Sequence, residues 1–234
     1  MSPNTIIRPY GTAAIAEAAA MIHAGQPVAI PTITVYGLDS IAIRVPAHRA
    51  MRALLTASAK PLATPSASAN ASGTISPTRA EHVLRMLDGP IAMIVDDGPC
   101  AVGIDSTIIE SQAGHMQLLR TGPIGMGALK ITDNILVRSP GQMARYDAPS
   151  KPLRLNARSA NNDGWGIGFG RIMPLRSLST AGNLIAAAAN LFDMPHTADM
   201  SDTVGIAVAP APSTGIGTAI NDRLMRATKK PDEA

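Results

Sequence analysis

Residues 65–78 read PSASANASGTISPT, with serine at 66, 68, 72 and 76, threonine at 74 and 78, one glycine and no charge. The polar capacity of such a stretch is short hydroxyls and backbone amides, groups that donate to anionic oxygens at close range. It runs into a predicted helix. Thr78 is followed by Glu81, the spacing of a capping box, ahead of the apolar Val83, Leu84 and Leu87. A hydroxyl-rich loop that feeds a helix N-terminus has the parts of an anion site. The same composition also describes an ordinary surface turn, in which each hydroxyl bonds its own backbone. Composition leaves both readings open.

Upstream, residues 12–24 (TAAIAEAAAMIHA) are helix formers that stop at Gly25, a plausible helix-ending glycine. Pro27 to Ile30 reads as a short buried strand, Ser40 to Val45 alternates as a strand, and residues 47–57 read as a helix. Downstream, Ile91 to Val95 is a strand that closes on the turn Asp96-Asp97-Gly98-Pro99. Ile104 to Glu110 and His115 to Arg120 read as two strands around a Gln-Ala-Gly turn. Helices and strands interleave first and strands become adjacent later, which implies an α/β fold with mixed pairing. Residues 138–152 (RSPGQMARYDAPSKP) carry three prolines, one glycine and no periodicity, the composition of a linker. Beyond them Leu153 to Asn156, Trp165 to Phe169 and Val204 to Ala209 read as strands, and Ala181 to Phe192 and Gly217 to Ala227 as helices. This is a second, small α/β unit.

At 234 residues, 46% hydrophobic and 16% charged, the chain has material for one large domain or two smaller ones. Aromatics are only 3%, so the core rests on Ala, Ile, Leu, Val and twelve Met, and stacking platforms for nucleic-acid bases are disfavoured. A net charge of +3 permits an anionic partner without requiring one. The single cysteine, Cys100, excludes an intramolecular disulfide and points to a reducing compartment. No apolar run of about eighteen residues occurs and the N-terminus has no leader pattern, so a cytoplasmic chain without membrane contact is expected. The histidines at 23, 48, 82, 115 and 196 show no metal-ligand spacing. Asp96 and Asp97 could hold magnesium, but their place before Gly98-Pro99 favours a turn. The glycine string Gly164 to Gly170 precedes Arg171-Ile172-Met173-Pro174 rather than a helix, so it fails as a phosphate loop, and Gly215-Ile216-Gly217 is weak alone.

Four stretches in order carry a family resemblance: Pro31-Thr32-Ile33-Thr34-Val35-Tyr36-Gly37-Leu38, then Ser68-Ala69-Asn70 with Ser72-Gly73 and Ser76-Pro77-Thr78, then Gly103-Ile104-Asp105-Ser106-Thr107-Ile108, then Leu119-Arg120-Thr121-Gly122. Together they resemble the motifs of threonylcarbamoyl-AMP synthases, which have a YrdC-like fold. Echoes continue through Ser139-Pro140-Gly141, Ala148-Pro149, Ile167-Gly168-Phe169-Gly170 and Ala219-Ile220-Asn221-Asp222-Arg223-Leu224, as in the long, two-domain members. The resemblance implies an α/β architecture: a YrdC-like twisted mixed sheet with helices over residues 1–135, a linker over 136–152, and a small C-terminal α/β domain over 153–234.

The chain also departs from the pattern. In the family a long block follows the first motif, and it holds a Lys-x-Arg pair. Here Gly37-Leu38 runs at once into Asp39-Ser40-Ile41-Ala42-Ile43-Arg44-Val45-Pro46, so the YrdC-like domain reads as truncated by an internal deletion after Leu38. Ile33 stands where Glu is usual, the serine loop carries two extra residues, and Asp105 replaces Glu. Tyr146-Asp147 stands where His-Tyr is common, and an aspartate there would repel a nucleotide phosphate.

The reaction implied by the resemblance joins L-threonine, bicarbonate and ATP, with Mg2+ accompanying the ATP, into threonylcarbamoyl-adenylate and pyrophosphate for modification of an adenosine in tRNA. It implies ATP-binding roles for Ser68, Asn70, Ser76 and Arg120, and threonine-binding roles for Thr34, Ser66 and Ser106. Without the Lys-x-Arg pair it assigns no catalytic residue, and it names no metal ligand. Lys60, the nearest lysine, reads as a solvated side chain at a helix end. A partner of tRNA or double-stranded RNA is implied as well. The alternative is a catalytically inactive remnant that keeps nucleotide or RNA binding. Nothing indicates an oligomeric state.

Overall fold

The computed structural model describes residues 5–32, 46–60, 62, 68–71, 73–112, 115–124 and 147–228. The chain divides into two units: residues 1–72 with 76–103, and residues 73–75 with 104–234.

In the first unit, β1 (Ile6–Pro9), β2 (Val28–Ala29) and β3 (Met93–Asp96) form a parallel sheet in the order β1-β3-β2. Met93 lies opposite both Ile6 and Val28, so β3 is the central strand. Its side chains alternate between faces, as a strand requires. Met93 and Val95 pack with α1 (Thr12–His23) and α2 (Arg49–Ser58) through Ala14, Ile15, Ala18, Ala50 and Leu54. Ile94 packs the other way, with Ala80 and Val83 of α3 (Ala80–Leu87) and with Ala69 and Ile91. The alanines of α1 are small enough to bring the helix close to the sheet, and burying Leu54 alone contributes about 2 kcal/mol.

The first helix ends as expected, with Gly25 at φ 78°. The capping box at Thr78 does not form. Arg79 occupies the N-cap of α3, and its side chain does not cap the helix. Thr78 instead donates its amide to His82 Nδ1 at 3.3 Å and accepts from Cys100 N at 2.9 Å, so its backbone is engaged elsewhere. Glu81 stays in the first turn, where its charge suits the helix N-terminus. Asp96 Oδ1 accepts from Gly98 N at 2.9 Å, the turn that the sequence implied. The sequence reading missed β1, because Ile6-Ile7 is a short apolar run closed by Pro9. At the end of an edge strand a proline costs no ladder bond.

In the second unit, β4 (Ile108–Gln112) and β5 (His115–Arg120) form an antiparallel pair, with Ile108 opposite Arg120. β6 (Leu153–Arg154), β7 (Gly164–Ile167) and β8 (Gly205–Val208) form a parallel sheet in the order β6-β8-β7. α4 (Leu184–Asn190), α5 (Asp193–Asp199) and α6 (Ile216–Ala227) complete it. Both pairing senses implied by the element order are present, parallel in two sheets and antiparallel in a third. The helix expected over 181–192 is shorter, with Asn183 Oδ1 accepting from Ile185 N and Ala186 N as its cap. α5 was not foreseen. Met194-Pro195 reads as a breaker, yet Pro195 sits in the first turn, where its missing N–H has no partner to lose.

The glycine string has a packing role. A Cβ at Gly168 would lie 2.0 Å from Met173 O, and Gly168 N donates to Arg176 O at 2.6 Å. The segment after β7 folds back onto it, backbone against backbone. Within the last residues of the expected linker, Lys151 Nζ donates to Ala198 O at 2.7 Å and to Ser201 O, while Ser150 N donates to Asp199 at 2.8 Å. A lysine thus closes the C-terminal end of α5. Residues 73–75 belong here because Thr74 bridges Ala148 and Ala148 N donates to Gly73 O at 3.4 Å. The strand expected over 40–45, the junction after Leu38 and most of the 136–152 linker lie outside the described residues.

Candidate functional site

Two expected ligand residues come together in the second unit. Arg120 ends β5 and Ser106 precedes β4, so the hairpin brings them side by side, and Arg120 Nε donates to Ser106 O at 2.9 Å. Arg120 is 5% exposed and is not a strand-end surface charge. The two stretches touch closely. A Cβ at Gly122 would lie 2.3 Å from Thr107 N and 2.6 Å from Asp105 O, so only glycine admits this approach. Thr107 Oγ1 accepts from Ile124 N at 3.1 Å and extends the contact.

Beside this pair lies a buried charge cluster that the sequence did not reveal. Arg223, on the core face of α6, donates from Nε to Asp105 Oδ2 at 3.1 Å and from Nη2 to Thr121 O at 2.9 Å. Its Nη1 donates to Asp222, which also accepts from Arg226 Nε at 3.1 Å. Asp147 Oδ2 stands 3.8 Å from Arg223 Nε. Asp105 and Arg223 are each 1% exposed. Burial alone would push the Asp105 carboxyl up, but the charges of Arg120 and Arg223, together with hydrogen bonds from Asp147 and Arg223, outweigh it and hold it below the ordinary carboxylate value. Burial opposes the charge on Arg223, and Asp105, Asp147 and Asp222 more than restore it. The expectation for Asp147 is corrected accordingly: it is buried within this cluster, beside Arg223 and hydrogen-bonded to Asp105. One signal was available in the sequence. Arg223 falls at helical spacing among Ala219, Ile220 and Leu224, a core stripe where an arginine requires an acidic partner.

The remaining described candidates lie in the first unit. Ser68 and Ser76 are buried, and Ser68 Oγ donates to Asn70 Oδ1. Thr34 and Ser66 lie outside the described residues. Lys60 is exposed at the end of α2, as its sequence position implied. Asp97 is committed to a contact of a different kind. It pairs with Arg49, which stacks over the Tyr10 ring at 4.9 Å, and His48 Nδ1 stands 3.9 Å from it. The same Nδ1 accepts from Ala50 N at 3.3 Å as the cap of α2, which requires it to be unprotonated. Burial lowers the His48 pKa, Asp97 opposes this and Arg49 reinforces it, so the neutral cap prevails.

An open cleft of about 250 Å³ in the second unit is lined by Pro152, Leu153, Arg154, Val204 and Ile206 among others, and it holds none of the candidate residues. Among the described residues no cluster of three His, Cys, Asp or Glu side chains is arranged to hold a metal ion. No described helix is long and apolar enough to cross a membrane.

Comparisons with known proteins bear on both units. A family model described as "Telomere recombination" (Sua5, YciO and YrdC) matches residues 37–122, and one described as "Threonylcarbamoyl-AMP synthase, C-terminal domain" matches 115–228. A threonylcarbamoyl-AMP synthase of Bacillus subtilis is 33% identical over 233 residues, covering 86% of this chain and 67% of that protein. A threonylcarbamoyl-AMP synthase of Schizosaccharomyces pombe is 31% identical over 63% of this chain, which spans 40% of the yeast protein. One of Pyrococcus abyssi is 35% identical over 52% of the chain and 39% of its own length. In three dimensions, a variant of P. abyssi Sua5 superposes with a TM-score of 0.78 at 22% identity over 96% of both chains. P. abyssi Sua5 complexed with L-threonine superposes at 0.75 and 20%, over 96% of this chain and 97% of that one. At such identities the structural likeness speaks for the fold.

Proposed function

Because the chain belongs to the threonylcarbamoyl-AMP synthase family, we propose that it makes threonylcarbamoyl-adenylate, pyrophosphate and water from L-threonine, bicarbonate and ATP, the water leaving as amine and bicarbonate form the carbamate. The observation that carries this reading is the 33% identity to the Bacillus subtilis synthase across 86% of the chain. In the reaction an oxygen of the threonine carbamate bonds to the α-phosphorus of ATP, the bond to the β-phosphate oxygen breaks, and pyrophosphate departs. Negative charge grows on the phosphates, so the site must supply fixed positive charge.

On this reading Arg120 faces ATP together with Ser68, Asn70 and Ser76, while Thr34, Ser66 and Ser106 hold threonine. The placement of Arg120 against Ser106 supports it, since one hairpin then presents a residue to each substrate. Mg2+ enters with ATP as the counter-ion of its phosphates. The product serves tRNA modification, and the protein works in the cytoplasm. Its net charge of +3 is compatible with tRNA or double-stranded RNA. A second reading is favoured by one specific feature, the direct run from Leu38 into Asp39 without the Lys-x-Arg block. On that reading the protein binds nucleotide or RNA without turning over.

Incubation of the purified protein with ATP, L-threonine, bicarbonate and magnesium, read by mass spectrometry, tests both. Threonylcarbamoyl-adenylate above a protein-free blank, strongly reduced by Arg120→Ala, is the expected result. No product from a folded sample that still binds ATP would establish the second reading.

A further inference from the structure

We propose that Arg223 is a positioning residue for the substrate site: from α6 its guanidinium clamps residues 105–107 to residues 120–122 and so sets the spacing between Ser106 and Arg120. This rests on the functional reading above, which gives Ser106 to threonine and Arg120 to ATP.

The geometry carries the inference. One planar group donates from Nε to Asp105 Oδ2 at 3.1 Å and from Nη2 to Thr121 O at 2.9 Å. Asp105 is the residue before Ser106, and Thr121 is the residue after Arg120. The clamp therefore grips each stretch one residue from its ligand group. The rigid fork of arginine can hold both acceptors at once, whereas the ammonium of lysine offers a single point. There is no slack elsewhere, because Gly122 is already pressed against the backbone of 105–107. Nor can water replace the clamp, because Arg223 is 1% exposed. Apolar packing would fill the same volume with no desolvation cost. A buried arginine with three aspartates is instead suited to fixing one geometry among several.

The test uses the full chain and isothermal calorimetry of L-threonine and of ATP, with circular dichroism confirming that each sample is folded at the assay temperature. Arg223→Lys keeps the charge and loses the two-point grip. It is expected to weaken L-threonine binding about tenfold, a coupling of about 1.4 kcal/mol. A Lys151→Met control, destabilised in the same unit but bonded to Ala198 and Ser201 rather than to the clamp residues, is expected to bind within about twofold of the parent, which separates positioning from general loss of stability. If Arg223→Lys does not fold, Arg223→Gln combined with Asp105→Asn removes the buried charge pair together, with the same expected loss. A folded clamp variant that binds L-threonine as tightly as the parent overturns the proposal. A parent protein that binds neither L-threonine nor ATP overturns the functional reading itself, and the clamp falls with it.

Discussion

Arg223 and Asp105 stand 118 residues apart in the chain and meet as a fully buried ion pair, Nε to Oδ2 at 3.1 Å. Removing one partner strands the other charge in the interior. Arg223→Met should therefore cost about 3–5 kcal/mol in urea unfolding, more than the removal of an exposed ion pair such as Arg8 with Glu17.

Acid should expose the same cluster. The Asp105 carboxyl is held below its ordinary value in the folded chain, so the unfolded chain takes up protons first as pH falls. The stabilisation is complete above the ordinary carboxylate range, near pH 4, and is lost as pH drops through the folded value. Urea midpoints measured from pH 6 down to pH 2 should fall steeply below about pH 4 in the parent and less steeply in Asp105→Asn. An equal slope in both would contradict this assignment.

His48 gives the first unit a separate pH response. Its folded pKa is lowered, so the unfolded state binds the proton more readily. The stabilisation is present above the ordinary histidine value, about 6.5, and is lost as pH falls from there through the folded value. Protonation would also cost Ala50 N its acceptor and weaken the start of α2. His48→Asn keeps a capping oxygen without a titrating group. Thermal unfolding followed between pH 5 and 8 should show the parent losing stability toward pH 5, and the variant losing less.

Lys151 should matter for stability and not for ligands. Its ammonium reaches Ala198 O and Ser201 at the end of α5. Lys151→Met leaves those carbonyls without their charged donor, at a cost of about 2 kcal/mol. Hydrogen exchange should report faster opening around residues 193–201, with the hairpin of β4 and β5 unaffected.

Arg120→Ala should lower kcat/KM for adenylate formation by about 10²–10³, the scale of losing one donor to a phosphoryl transition state. Arg120→Lys should recover only part, because a point charge cannot reproduce the fork that also bonds Ser106 O. Steady-state assays under saturating bicarbonate would measure both.

Features with local causes were legible in the sequence. Gly25 ended a run of helix formers, Asp96 to Pro99 made its turn, and the two strands read on either side of Gln-Ala-Gly are the antiparallel pair β4 and β5. Where the outcome depended on a distant partner, the sequence misled. Thr78 looked like a cap, but His82 and Cys100 claimed its backbone. Asp147 was read by the sign of its charge alone, and Arg223 from α6 decided its environment. Arg223 itself escaped notice because an arginine on a helix is ordinary until its neighbours at helical spacing are seen to be buried. Thr34 and Ser66 belong to stretches that the structure does not describe.

The path of the chain through Gly73 to Ile75 bears on how this protein can be divided. Those three residues meet Ala148 through Gly73 and Thr74, and they belong with the unit formed by residues 104–234, although their neighbours on either side belong to the other unit. Neither unit is therefore a continuous length of polypeptide. A fragment starting at Ile104 would lack the carbonyl of Gly73 that receives the amide of Ala148. A single nick between 103 and 104 would leave residues 73–75 of the larger body still attached to the smaller one. Shuffling the C-terminal half onto another chain at one joint would break the same pairing.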